Sequence, residues 1–541
     1  MADTGNGAAA FLGTLKTLGI DRIFTLIGDH LNEVLSQSAG TGIEIIHMRH
    51  EAAVVHAADA WARCTRRPAL SLVTGGPGHT NSLTGLATAN SNGTPLIAVS
   101  GAPAQLMRHR VVFQDLDQAA MAAPAAKWAH TVTSASQIPF ALGKAYSEAS
   151  TGRMGVAHLT IPVDCFRAPA AAAPRAPQAV PLAGPPDVSP LLRLLKSAKR
   201  PVVIGGSGLW WADAGLALRE FLERSQLPYY DVTMARGLAP SLGYADPSLN
   251  RACVEVFRQA DVVLVLGKRI DYRLALGGPR LFSPDAKFAQ VDIHGPELGL
   301  NRKLSVALCA DVRQVLEALN AKVGKWKAPT WVATSTWPAE LDALAAAHAA
   351  DKALHPASFF AELRRTLPVD PLLSWDGGDF VHWGRCMLPA NHPGGWLRLG
   401  PMATIGAALP NAISLQMHRP KQPVMMVTGD GSFGFYLAEL DTAVRYKLPL
   451  VIVVGNDGGW GLERELQGEL LGSTVACELR RTRYDQVARG FGCGGENITK
   501  LSQIGPALDR AFRSQMPYVL NVNVQGARSP FTQWQLDGRG K

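Results

Sequence analysis

Two carboxylates, Asp430 and Asp457, each stand just behind a short apolar run, and that placement suggests one piece of chemistry. Asp430 lies in the turn Gly429-Asp430-Gly431 after Val424-Met425-Met426-Val427, and Asp457 follows Leu450 to Val454 together with Asn456, Gly458, Gly459 and Trp460. Runs of this kind read as buried parallel strands, and the carboxyl edge of an open α/β sheet is where ligands bind. The turn opens a predicted helix through Ser432 and Phe433 to Val444. Amides at a helix start suit an anion and paired oxygens suit a hard divalent cation, so the expectation is a magnesium-type ion bridging the protein to a diphosphate. A lone Gly-Asp-Gly is an ordinary turn. The Asn-Asp pair at the next strand end makes this one more specific.

Two further residues, Glu51 and His30, have titratable side chains, and a third, Gln114, can hydrogen-bond. Glu51 sits between His50 and Ala52-Ala53-Val54-Val55 at the start of an Ala-rich helix, where a carboxyl would be desolvated and its protonated form favoured. Taken alone, a helix N-terminal acid facing the dipole explains it equally well. His30 occupies the turn Gly28-Asp29-His30 after the strand Arg22 to Leu26, at the sheet's functional edge, where a histidine by itself reads as a solvated cap or a hydrogen-bonded filler. Gln114 lies in the run VVFQDLDQAAMAAPAAKWAH.

The elements that must position these groups alternate strand and helix, which predicts parallel sheets covered on both faces. The chain has 541 residues, enough for three domains, with boundaries expected at 1–168, 187–323 and 356–541. An Ala- and Pro-rich stretch at 168–186 reads as a linker. In the middle unit, Gly205-Gly206-Ser207-Gly208 follows a strand and reads as tight backbone packing in preference to a phosphate loop. The last residues, from Gly526 onward, show no clear pattern and read as a frayed end.

Composition narrows the class. With 47% hydrophobic and 18% charged residues the chain is that of a compact soluble protein, and no apolar run approaches a membrane span. The start, Met1 to Gly5, lacks a basic region and an apolar signal core, so a cytoplasmic location is the expectation. Seven scattered cysteines without ligand spacing read as buried small residues in a reducing compartment. The formal charge of +9 is not gathered into runs with interleaved aromatics, which argues against nucleic acid and leaves room for a phosphorylated or CoA-linked substrate.

The stretch Gly429 to Trp460 resembles the diphosphate-binding motif of thiamine diphosphate enzymes of the acetolactate synthase-like group, as RHEAAVVHAADAWAR followed by TGGPGHTNSLTGLATA resembles that group's coenzyme-activating segment. The likeness is strongest to the 2-hydroxyacyl-CoA lyase and benzaldehyde lyase branches. It implies three doubly wound parallel-sheet α/β domains: pyrimidine-binding, central and diphosphate-binding. By the same resemblance Asp430, Asp457 and the Gly459 carbonyl would hold Mg²⁺, although the group usually has Asn where Asp457 stands. Gly429, Gly431 and Ser432 would meet the diphosphate, with Gly377, Gly378 and Asp379 as another loop. An acidic Asp379 there would repel the diphosphate unless something offset it.

Ile405 would support the bend of the coenzyme, and the Ala403 carbonyl would accept its amino group. Glu51 would stabilise the imino tautomer of its pyrimidine, while His30 and Gln114 would handle the substrate hydroxyl. Trp460, Leu462 and Gln467 would line the pocket. The implied reaction is lyase or carboligase chemistry on a 2-hydroxyacyl-CoA, an acyloin or an aldehyde, with acetolactate synthase-type condensation of 2-oxo acids as the alternative. The resemblance also implies a homodimer or homotetramer with sites between subunits. It leaves the central domain open between a flavin, an adenine nucleotide or CoA moiety, and no ligand.

Overall fold

The computed structural model describes residues 5–108, 110–170, 184, 186–333 and 335–539, so the expected linker lies mostly outside the described residues. Three parallel sheets organise the chain. The first contains β1 (Arg22–Leu26), β2 (Glu44–His47), β3 (Ala69–Val73), β4 (Leu96–Ala102), β5 (Trp128–Thr131) and β6 (Val156–Pro162), in the order β2-β1-β3-β4-β6-β5. The central sheet holds β7 (Pro201–Gly205), β8 (Tyr229–Asp231), β9 (Val262–Leu266), β10 (Lys287–Asp292) and β11 (Val306–Cys309), in the order β11-β10-β9-β7-β8. The last has β12 (Leu372–Trp375), β13 (Trp396–Arg398), β14 (Val424–Gly429), β15 (Leu450–Asn456), β16 (Gly494–Ile498) and β17 (Tyr518–Asn523), in the order β13-β12-β14-β15-β17-β16.

Helices cover both faces of each sheet, so the inner strands are apolar without alternation. Val424 to Val427 and Val451 to Val454 are wholly buried. The first and last sheets share one strand order, and each has a topological switch point where the strand order reverses: between β1 and β3, and between β12 and β14. The central sheet has its own between β7 and β9. Crevices at such points are where doubly wound sheets take ligands.

The Ala-rich helix Glu51–Thr65 packs against the helix Ala408–His418 of the last domain. Its small side chains, Ala53, Ala57, Ala58 and Ala60, are fully buried, which lets the two backbones approach closely. The Ser414 hydroxyl donates to the Ala57 carbonyl at 2.7 Å, and Arg63 donates to the Arg398 carbonyl at 2.9 Å.

Three expectations from the sequence need correction. The segment after Gly429 is a broken helix: Asp430–Phe433, a 3₁₀ turn Gly434–Tyr436, then Glu439–Arg445. The break turns Tyr436 toward His50, with ring centroids 5.5 Å apart, and brings Glu439 under the Arg49 amide at 3.0 Å. The C-terminal end is the helix Pro530–Arg539, docked by polar contacts to distant residues, which no apolar periodicity announces. Of the cysteines, Cys309 is exposed on the edge strand β11 and Cys386 is half-buried; the other five are buried, and all seven are free.

Candidate active site

The loops after β12 and β14 meet at the switch point of the last sheet, and Asp376 ties them together. Its carboxylate accepts from the Gly377 amide at 2.9 Å, the Gly406 amide at 3.0 Å and the Thr428 hydroxyl at 3.3 Å. Burial pushes this carboxyl up to about 6, against the pull of those donors. A cavity of about 720 Å³ opens beside it, lined by Gly377, Gly378 and Asp379 from one loop and Gly429 to Ser432 from the other. Ala403, Ile405, Asp457, Gly459, Trp460 and Leu462 complete the same wall. Gln467 does not belong to it: its amide is spent on both backbone groups of Val475.

Local geometry explains several of these residue types. A Cβ on Gly431 would lie 2.6 Å from the Trp460 ring, so only glycine admits the indole over the turn. Ala403 holds φ of 51°, a left-handed conformation that costs an alanine energy and marks this segment as constrained by its surroundings. The Ile405 side chain presses toward Gly377, whose Cβ would stand 2.9 Å from it.

Asp430 and Asp457 face one electrostatic problem. Burial, then the Asp457 charge, pushes the Asp430 carboxyl up to about 7. Burial also raises Asp457, with Arg464 and Arg481 pulling it down. Asp430 accepts from the Gly459 amide at 3.2 Å, and Arg464 pairs with Asp457 at 2.5 Å. The Arg464 charge cancels the extra negative charge that Asp457 carries relative to asparagine. Two carboxylates beside a backbone carbonyl are hard oxygen donors with positions left for phosphate oxygens, a set that fits Mg²⁺ bound with a diphosphate. Among the described residues there is no cluster of three or more His, Cys, Asp or Glu arranged for a metal.

Asp379 is engaged elsewhere. Its Oδ1 accepts from the Ser529 and Thr532 hydroxyls, each at 2.5 Å, which anchors the C-terminal helix to the 377–379 loop. Burial pushes it up to about 6 while those hydroxyls pull it down.

The switch point of the first sheet carries uncharged hydrogen-bonding chemistry. His30, behind β1, is buried beside Thr74 and Gly75, behind β3. Its Nδ1 accepts from the Gly75 amide at 3.2 Å and lies 3.1 Å from the Thr74 hydroxyl. A ring that accepts through Nδ1 carries its proton on Nε2. Burial lowers the His30 pKa, with Asp29 raising it and Arg167 lowering it further, so the neutral ring is favoured. Gln114 is held at φ of 60° against Gly76, and its buried Oε1 has no partner among the described residues. Gln118, which the sequence reading passed over, fixes that loop: it accepts from the Gly76 amide at 3.0 Å and donates to the Gly101 carbonyl at 2.9 Å.

Glu51 begins its helix behind the His50 cap and accepts from the Asn81 amide at 3.0 Å. It is half-buried, where the sequence led to the expectation of a buried acid. Glu51, His30 and Gln114 all lie outside the wall of the 720 Å³ cavity. Apolar side chains stand exposed in both regions: Leu106 (81%) and Phe113 (78%) in the loop that carries Gln114, Met402 (51%) next to Ala403 in sequence, and Phe435 (54%) against Gly406.

The central switch point borders a smaller cavity of about 210 Å³, lined by Ser207, Gly208, Lys268, Arg269 and Asp292 and by Asn92 and Arg153 of the first domain. The expected tight packing is there: the Gly208 amide donates to the Gly267 carbonyl at 2.9 Å.

Three doubly wound domains with ligand-type crevices, one holding an acid pair and one a buried histidine, define a multidomain α/β enzyme. Comparison with known proteins gives the family. Models of the thiamine pyrophosphate enzyme match residues 5–121 (N-terminal TPP binding domain), 188–319 (central domain) and 376–522 (C-terminal TPP binding domain). An acetolactate synthase large subunit of Mycobacterium tuberculosis is 34% identical over 533 residues, covering 96% of each chain. Human 2-hydroxyacyl-CoA lyase 2 is 30% identical over 582 residues, covering 97% of this chain and 90% of the relative. Mouse 2-hydroxyacyl-CoA lyase 1 is 29% identical over 552 residues, covering 96% and 94%. The chain belongs to the thiamine pyrophosphate enzyme family.

Proposed function

We propose that this enzyme is a thiamine diphosphate- and Mg²⁺-dependent carbon–carbon lyase or carboligase, with each active site completed between two copies of the chain. The observation that carries the reading is the division of labour between equivalent switch points. The last domain brings acid pair, glycine turns and Ile405 to one cavity. The first domain presents Glu51, His30 and Gln114 outside the wall of that cavity, with the Gln114 Oε1 unpartnered among the described residues. Exposed apolar side chains stand in both regions, and covering them would favour association. A dimer, or a tetramer made of such dimers, follows from that reading.

In this scheme Asp430, Asp457 and the Gly459 carbonyl hold Mg²⁺. Amides of Gly431, Ser432, Gly377 and Gly378 would hold the diphosphate, Ile405 would pack beneath the coenzyme, and the Ala403 carbonyl would accept a hydrogen bond from its amino group. The bound coenzyme supplies an electron sink for breaking or forming a bond next to a carbonyl. Glu51, steered by Asn81 at one oxygen, uses the other to hydrogen-bond the pyrimidine ring. Neutral His30 donates from Nε2 to a substrate oxygen while the Gly75 amide holds its other nitrogen. Gln114 holds the same substrate through its amide.

On the substrate side the reading is 2-hydroxyacyl-CoA lyase-like cleavage to an aldehyde and formyl-CoA, or the related acyloin cleavage of a benzaldehyde lyase, and their reversals. Acetolactate synthase-type condensation is favoured by the 34% identical relative. The smaller cavity would take an adenine nucleotide or the nucleotide end of CoA. Among the described residues no helix is long and apolar enough to cross a membrane, and a cytoplasmic location belongs to the same proposal.

The test is a calorimetric titration of the purified chain with thiamine diphosphate and Mg²⁺, then product analysis. Acetolactate and CO₂ from pyruvate support the synthase reading, turnover of formaldehyde with formyl-CoA the lyase reading. Absence of saturable coenzyme binding overturns both.

A further inference from the structure

Met48, Arg49 and His50 join β2 to the helix that begins at Glu51, and this join is held from outside its own domain. β2 is an edge strand of the first sheet, so the backbone groups that face away from β1 have no neighbouring strand to pair with. Side chains of the last domain take that place. The Tyr446 hydroxyl accepts from the His47 amide at 2.8 Å and donates to the Ile45 carbonyl at 3.1 Å, while Arg445 donates to the His47 carbonyl at 2.8 Å. Further along, the Arg49 amide donates to Glu439 Oε1 at 3.0 Å, and the Arg49 guanidinium pairs with Asp441 at 3.1 Å. His50 caps the helix by accepting from the Ala52 amide at 3.0 Å, with its ring centroid 5.5 Å from that of Tyr436.

Glu439 is the centre of this contact. It is wholly buried, and its Oε2 accepts from the Thr442 hydroxyl at 2.6 Å, which fixes the side chain and leaves Oε1 for the Arg49 amide. Burial raises its carboxyl, and the Thr442 hydroxyl followed by the Arg49 and His50 amides pull it back. A buried acid is tolerated only where donors converge on it, and here the convergent donors include the backbone just ahead of Glu51. Glu51 itself is steered at its tip by Asn81 alone among the described residues. The rest of its placement depends on where its helix starts, and a displacement of about 1 Å at that start would carry the carboxyl out of reacting geometry.

We propose that Glu439 is a positioning residue for Glu51: through the Arg49 amide it fixes the point at which the Glu51 helix begins, with Tyr446 and Arg445 holding the strand behind it. Glu439 opens the helix Glu439–Arg445, which follows the Asp430 turn and its 3₁₀ turn in the chain, so one continuous stretch carries a wall of the cavity and the hold on Glu51. That Glu51 acts on the coenzyme rests on the proposed function; that Glu439 holds the backbone ahead of it does not. Contacts that merely joined the two domains would affect stability and leave the reactivity of the bound coenzyme alone.

The experiment first reads the segment in the full chain without coenzyme. Amide hydrogen exchange, followed by mass spectrometry, should be roughly tenfold faster across residues 47–53 in Glu439→Ala than in wild type, with β14 unchanged. With thiamine diphosphate and Mg²⁺ bound, the coenzyme's reactive carbon-bound proton should then exchange with solvent deuterium roughly tenfold more slowly, while coenzyme affinity changes less than about threefold. This second readout needs no substrate. Glu439→Gln keeps an acceptor for the Arg49 amide and should bring both rates to within about threefold of wild type. Tyr446→Phe, which keeps the ring and loses the hydroxyl between Ile45 and His47, should move both readouts in the same directions as the alanine variant, and stands in if that variant does not fold. Unchanged exchange across 47–53 in these variants overturns the hold on the segment. Faster exchange there with the coenzyme proton unaffected, or a glutamine variant as impaired as the alanine one, overturns the positioning role. Glu51→Gln separates the two readings: if it leaves the coenzyme proton exchange unchanged, the proposed role of Glu51 fails while the result without coenzyme still stands.

Discussion

The first and last domains share a strand order and place their candidate groups at the same switch point, yet they solve opposite problems there. In the last domain the crevice carries paired charges: Asp430 and Asp457 repel each other, Arg464 offsets one of them, and Asp376 pins the loops. In the first domain uncharged hydrogen-bonding groups stand beside Glu51: His30 is held uncharged by burial and the Gly75 amide, and the Gln114 Oε1 is unpartnered among the described residues. On the proposed reading, the first of these crevices would hold a charged group tightly, and the second would exchange hydrogen bonds and protons. The comparison teaches that a shared sheet fixes where a site is and leaves its chemistry to a few strand-end residues.

The largest effect expected is on the charged side. Asp430→Ala should cost at least about 100-fold in coenzyme and Mg²⁺ affinity, and chelation should reproduce it, as calorimetry would show. Next, Glu51→Gln should lower kcat by roughly 10² to 10⁴ while coenzyme affinity changes little. Equal damage to binding from both variants would erase the distinction between the two crevices. A sharper test uses Arg464→Gln, expected to weaken diphosphate affinity about tenfold by uncovering the Asp457 charge, with Asp457→Asn in the same chain restoring most of it.

The smallest effect concerns pH. The His30 pKa is lowered in the fold, mainly by burial, so the unfolded chain binds more protons there just below its ordinary value of about 6.5. The contribution of neutral His30 to stability is present above that value and is lost as pH falls toward the folded pKa. Wild type should therefore lose more Tm than His30→Gln between pH 7.5 and about 5.5; equal losses would mean the ring is not held neutral.

Much of this was legible because the signals are local. A turn at a strand end names its own position, and so Gly377, Gly429, Asp430, Asp457 and Trp460 could be read from short stretches and all line one cavity. Asp376, one residue before the glycine pair, carried the same signal and was passed over. What escaped depends on contacts between distant segments: Gln118 reaching Gly76 and Gly101, Arg464 reaching Asp457, and Ser529 and Thr532 reaching Asp379. The C-terminal helix was missed for that reason, since polar anchors and not a repeating apolar face hold it. Gln467 was misplaced because a pocket-side position cannot be told from a loop contact without the fold around Val475.

The division of one site between two chains is tested most directly by mixing Glu51→Gln with Asp430→Ala subunits, each inactive by itself. In a mixed dimer one site would inherit both substitutions and the other neither, so statistical exchange predicts recovery of about a quarter of wild-type activity. A mixture that is shown to exchange subunits and stays inactive would contradict the account, because Glu51 and Asp430 would then have to serve the same site from the same chain.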